Sequence, residues 1–182
     1  RERVVLAQIP TITAISRQAL IAGQRPAHFA ESLLHNRHES QQWTRFWTSR
    51  GLPERATVYA RMPSAIDAAY PDAIDSRQTQ VVCLVSSAID AMLHGATQGT
   101  ADVHASLHVW LHHEAHRGAA WVEGLIQHLL DQGYRITLTA DHGHTEAIGV
   151  GQPHEGVMVD SRSQRARLYR HADTAQTVHA AY

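Results

Sequence analysis

At 182 residues the chain is long enough for one domain with a buried core, and its formal net charge of −1, with no basic stripe, gives no electrostatic footprint for duplex nucleic acid. All 16 basic residues are arginine, a count that a GC-rich coding bias explains without any phosphate-binding role, and the single cysteine, Cys83, excludes an internal disulfide and fits a cytoplasmic protein. No apolar run approaches the ~20 residues of a membrane span, and no signal peptide is visible.

The first element is a strand over 3–9, carried by Val4-Val5-Leu6-Ala7-Gln8-Ile9. A helix over 14–23 follows, with Ile15, Ala19, Leu20 and Ala22 on one face, Gly23 at its end and Pro26 unable to extend it. Thr13 therefore falls near a strand-to-helix junction. Its hydroxyl, or that of Thr11, can cap the helix. Capping is the commoner role for such a residue, and the alternative is that it lies beside a metal, with helix-start N–H groups aimed at a phosphate.

Residues 28–48 read as helical and surface-lying, with Trp43, Phe46 and Trp47 supplying apolar contacts, and Gly51-Leu52-Pro53 is a break. Thr57–Ala60 is a short strand, and 62–78 is a loop with a helical turn. The continuous apolar run at 80–86 is the pattern of a buried parallel strand. Behind it stand Asp90 and His94, whose spacing puts two ligands on one face of a helical turn. A solvated or capping Asp beside an unrelated His is the alternative.

A helix over 102–116 carries His104, His108, His112, His113 and His116, and the first three form an i, i+4 stripe. Such a stripe can hold a metal, but helix surface with coding bias accounts for it too. The helix at 118–131 spaces Trp121, Leu125, Ile126, Leu129 and Leu130 as core residues, with Gly133 as its stop. A strand over 134–140 leads into Asp141-His142-Gly143, a carboxylate and an imidazole where the backbone can turn sharply. Strand ends of this kind are where open α/β sheets place their sites. Residues 143–156 form a glycine-rich loop, and the basic stretch 162–170 reads as a solvated strand. The expected class is α/β, with a mainly parallel sheet and helices on both faces.

Three segments in this order carry a resemblance: Pro10-Thr-Ile-Thr-Ala-Ile-Ser-Arg17, then Ile89-Asp90-Ala-Met-Leu-His94-Gly95, then Thr139-Ala-Asp-His-Gly-His-Thr-Glu146. With Arg165-Ala-Arg167-Leu-Tyr169 after them, they resemble the alkaline phosphatase superfamily of two-metal phosphohydrolases. More closely, they resemble the PglZ domain of the phage growth limitation and bacteriophage exclusion (BREX) defence systems. The resemblance spans about residues 4 to 170 and is weakest over 30–75.

It implies an alkaline-phosphatase-like fold and a metal-dependent hydrolysis of a phosphomonoester or phosphodiester, nucleic acid included. It implies Thr13 as the nucleophile and a ligand of one metal, Asp141 and His142 as ligands of that metal, and Asp90 and His94 as ligands of the other. Arg17, Arg165 and Arg167 are the implied phosphate-side arginines. The cofactors implied are two divalent ions, Zn²⁺ best suited to carboxylate with imidazole, Mn²⁺ and Mg²⁺ next. Other phage-defence proteins are the implied partners. Two family ligands have no counterpart here: an Asp after an earlier strand and a final His often followed by Gly, since His154, His171 and His179 stand before no Gly. Residues 1–182 are thus expected to be a partial domain, truncated at both ends. A non-catalytic structural or regulatory domain of a defence complex is the competing expectation.

Overall fold

The computed structural model describes residues 2–62, 70–97, 99–112, 118–145, 151, 161–162 and 166–181. In chain order its elements are α1 (Thr13–Ala22), a 3-10 stretch (Pro26–Ser32), α2 (Glu39–Thr48), a 3-10 turn (Glu54–Ala56), β1 (Thr57–Arg61), a 3-10 turn (Asp72–Asp75), β2 (Val81–Val85), α3 (Ala88–Gly95), α4 (Thr100–His112), α5 (Gly118–Asp131), β3 (Ser161–Arg162), β4 (Arg167–Leu168) and α6 (Ala172–Ala181). They divide into two compact units. One combines Arg1–Glu39 with Ala140–Tyr182, and the other is Ser40–Thr139.

The Ser40–Thr139 unit is α/β. β1 and β2 pair in parallel from Thr57↔Val81 to Arg61↔Val85. Gln80 N–H donates to Ala56 O and Met62 N–H to Val85 O, which carries the ladder one step past each end. Parallel neighbours cannot be joined by a tight turn, and the chain between them contains the 3-10 turn Asp72–Asp75. The core is Met62, Ile74, Leu125 and Leu129, with Val58, Val82, Leu84, Trp121, Tyr134 and Ile136 packed on it. Each of the buried aliphatics contributes about 1.5–3 kcal/mol relative to exposure. α5 turns its Leu125–Leu129 face inward and ends where Gly133 takes φ 83°, a left-handed conformation open to glycine. His128 on α5 ties the 3-10 turn down: its Nε2 lies 2.6 Å from Asp75 Oδ1, and Gln132 donates to the same oxygen. The His128 hydrogen bond, then that of Gln132, holds the Asp75 carboxyl below its ordinary value. Burial, and then the Asp75 charge, raises the Tyr134 phenol.

The other unit is organised around α1. Gly23 closes the helix at φ 60° with its N–H on Ala19 O. The buried residues are Ile15, Ser16, Gln18, Ile21 and Ala22, whereas Leu20, expected on the inner face, is exposed. Gln18 takes the inner position with no exposed surface. That burial is tolerated because its amide N–H donates to Ser32 O at 2.8 Å and His35 O at 3.1 Å, while its Oε1 accepts from the Ser32 hydroxyl at 2.7 Å. The chain after α1 is thereby folded back onto the helix. β3 and β4 pair antiparallel, Ser161↔Leu168 and Arg162↔Arg167.

The sheet is smaller than the sequence pattern suggested. Among the described residues the parallel sheet has two strands, and the segments 3–9 and 134–140 join no ladder. Val4, Val5 and Leu6 are exposed, so among the described residues the apolar start of the first segment has no packing partner that would hold a strand in register. In the second segment the alternation holds over 134–137 and stops at Leu138, which is exposed. Tyr134 and Ile136 face the core and Arg135 and Thr137 face out. Side-chain burial has set the period of two there without strand pairing.

Candidate metal and phosphate site

α1 begins at Thr13, with Ile12 as its N-cap residue and no side-chain cap hydrogen bond. The capping role open to Thr11 or Thr13 is therefore not taken. The chain reaches the helix through a cis Ile9–Pro10 bond and a turn in which Ile12 N–H donates to Pro10 O at 2.8 Å. The Ser16 hydroxyl donates to Gln8 O at 2.8 Å, which fixes that entry against the helix.

The Thr13 hydroxyl instead meets the turn at Asp141-His142-Gly143, 129 positions away in sequence. Thr13 Oγ1 lies 3.0 Å from His142 Nε2. The other ring nitrogen, Nδ1, lies 3.0 Å from Gly143 O. A carbonyl oxygen only accepts, so in the neutral ring Nδ1 carries the hydrogen and Nε2 presents its lone pair to Thr13. Asp141 Oδ1 accepts from His142 N–H at 3.0 Å and stands 3.9 Å from His142 Nε2. Thr13, Asp141 and His142 are each half-buried.

Arg17 is one helical turn after Thr13 and shares its face of α1. Its Nε donates to Glu39 Oε1 at 2.7 Å, and its Nη1 lies 4.0 Å from Asp141 Oδ2. Two α1 residues thus face two consecutive turn residues, Thr13 to His142 and Arg17 to Asp141. Glu39 holds Arg17 from behind and is 1% exposed.

This donor set suits a hard or borderline divalent cation. A metal-binding imidazole typically donates its remote N–H to a carbonyl or carboxylate, and His142 has that arrangement. Its Nε2, the Thr13 oxygen and the Asp141 carboxylate are the groups that would hold an ion. Among the described residues no cluster of three or more His, Cys, Asp or Glu side chains forms a complete cage.

Asp90 and His94 belong to α3, in the Ser40–Thr139 unit. Nε2 of His94 lies 3.5 Å from Asp90 Oδ1, and both side chains are exposed. Arg167 sits half-buried on β4, and Arg165 lies outside the described residues. His104, His108 and His112 are exposed on α4, with the His108 and His112 rings 4.7 Å apart; His113, His116 and His154 lie outside the described residues. No described helix is long and apolar enough to cross a membrane.

The sequence reading missed Glu39 and the Gly143 carbonyl. An acidic residue opening a helix is common enough to carry no signal, and a backbone carbonyl leaves no trace in composition.

The class of domain is alkaline phosphatase-like. Residues 1–181 match the family model described as the BREX system PglZ alkaline phosphatase-like domain, and the chain belongs to that family. Membership places it in a phage-defence system whose other proteins are its partners. Neither the curated proteins nor the solved structures hold a match.

Proposed function

We propose that this domain is a divalent-metal-dependent phosphoester hydrolase of phage defence, with Thr13 as nucleophile. The observation that carries the reading is the Thr13 Oγ1 to His142 Nε2 approach of 3.0 Å, with the ring's other nitrogen committed to Gly143 O. Thr13 supplies the oxygen that attacks phosphorus, its proton passes through solvent to the alkoxide or phenoxide that leaves, and water then hydrolyses the phosphothreonine, returning the proton to Thr13. Asp141 and His142 hold the cation beside Thr13, and the backbone N–H groups at the start of α1 face the phosphoryl oxygens. Divalent ions, when bound, lower the hydroxyl pKa and neutralise phosphate and leaving-group charge. Asp90 and His94 are proposed as ligands of a second ion, Arg17, Arg165 and Arg167 as phosphate-side groups, and nucleic acid as one phosphodiester substrate. Zn²⁺ is the first choice of metal, then Mn²⁺ and Mg²⁺.

The competing reading is a non-catalytic member of the defence complex, favoured by the lack of a three-donor cage among the described residues. Hydrolysis of a nitrophenyl phosphomonoester and phosphodiester, with and without chelator, separates the two. The assay runs on this chain beside the longest natural protein that carries it. Thr13→Ala is expected to lower turnover by at least roughly a thousandfold, as loss of a covalent nucleophile does. Full activity in Thr13→Ala would assign the hydrolysis elsewhere. No hydrolysis with Zn²⁺, Mn²⁺ or Mg²⁺ would leave the structural reading standing.

A further inference from the structure

Arg17 offers one positive charge to two carboxylates. Glu39 holds it by a 2.7 Å hydrogen bond at Nε, while Asp141 stands at 4.0 Å from Nη1, beyond hydrogen-bond reach. Glu39 is 1% exposed, and a carboxylate that deeply buried is retained only when paired. It belongs to the same compact unit as α1 and the 141–143 turn, so the chain of contacts runs Glu39, Arg17, Asp141 within one body. Arg17 in turn lies four residues from Thr13 on the same helix face. An unrestrained guanidinium prefers to close on a carboxylate with two parallel hydrogen bonds. At Asp141 that closure would occupy the lone pairs a cation needs.

We infer that Glu39 is a positioning residue for the metal site: it restrains the Arg17 guanidinium so that Arg17 does not close on the Asp141 carboxylate and cap it. This rests on the proposed metal-dependent hydrolase. In this arrangement Oδ2 of Asp141 faces Arg17, and Oδ1 faces His142. Loss of the Glu39 charge releases Arg17 onto Asp141, and cation affinity falls. Loss of the Arg17 charge removes the competitor, and cation affinity is kept or improved. A role limited to pairing a buried charge beside α1 predicts a different pattern, with lower melting temperatures and unchanged affinity in every folded variant.

The experiment is a titration with Zn²⁺, and separately with Mn²⁺, against a chromogenic chelator on the wild-type protein, Glu39→Gln, Arg17→Gln and the double variant. Asp141→Ala defines the background binding of the exposed α4 histidines. Circular dichroism checks that each variant is folded at the titration temperature. Glu39→Gln is expected to weaken binding roughly ten- to a hundredfold, the range for residues behind a metal ligand. Arg17→Gln is expected to bind at least as tightly as wild type, and the double variant to return to the Arg17→Gln value. Unchanged affinity in Glu39→Gln overturns the inference and leaves the hydrolase reading intact. If Glu39→Gln does not fold, Arg17→Gln decides, because weakened binding there makes the guanidinium a support and not a restrained competitor. A wild-type protein with no divalent uptake above the Asp141→Ala background overturns both this inference and the hydrolase reading.

Discussion

Gln18 is the place to ask what holds α1 in position. Its side chain has no exposed surface and bridges α1 to the segment that follows it, through Ser32 O, His35 O and the Ser32 hydroxyl. Gln18→Leu keeps the volume and deletes the polar contacts. The Ser32 hydroxyl retains Phe29 O as an acceptor at 3.1 Å. The buried Ser32 O and the half-buried His35 O then lose a donor, at about 1–3 kcal/mol for each left without a partner. The half-buried position of His35 lets water reach one of them, so the expected cost is about 3 kcal/mol. Gln18→Ala adds a cavity and is expected to cost about 1 kcal/mol more. Tryptophan fluorescence cannot read this, because Trp43, Trp47, Trp110 and Trp121 all lie in the Ser40–Thr139 unit. Amide hydrogen exchange followed by mass spectrometry reads it locally. Protection over Thr13–Ala22 should fall roughly a hundredfold in Gln18→Leu, at 1.4 kcal/mol per factor of ten. A fall of less than about threefold would mean that these hydrogen bonds only replace equally good bonds to water.

Ile74→Ala, at a fully buried position of the Ser40–Thr139 core, is expected to cost about 2–5 kcal/mol in urea unfolding followed by tryptophan fluorescence. A cost under about 1 kcal/mol would remove the 3-10 turn Asp72–Asp75 from that core. The depressed Asp75 carboxyl stabilises the fold fully above its ordinary value of 3.8, and the contribution is lost as pH falls through the lower folded value. Wild-type melting temperature should therefore drop more steeply than that of Asp75→Asn on acidification below that ordinary value, and parallel curves would refute the contribution of the His128 contact.

Much of the candidate site was legible because its residues punctuate local structure. Asp141-His142-Gly143 announces a turn, and Gly23 with Pro26 frames the end of α1. β1, β2 and α5 were legible for the same reason, as each carries its own periodicity and stop signal. The two segments that form no ladder among the described residues read as strands because an apolar or alternating run specifies burial of a face, whereas a strand also needs a neighbour that no local pattern names. Leu20 and Gln18 exchanged roles for a related reason. A helix face is chosen by what packs on it, and here the covering segment offers carbonyls in place of a hydrocarbon surface. Glu39 was invisible because its importance comes from Arg17, 22 positions earlier in the chain.

The unit that holds Thr13 and His142 is discontinuous in sequence, interrupted by the whole of Ser40–Thr139. A ribosome therefore releases α1 well over a hundred residues before it releases the turn that meets it, while domains fold as they emerge. Closing so long a loop is slow but costs little more than closing a short one. Thr13 and His142 consequently come together only after the intervening unit has been made and has had time to fold. Any product that stops short of Ala140 carries the threonine without its histidine. For a protein of a defence system, that order ties the assembly of the proposed site to synthesis of the whole intervening unit.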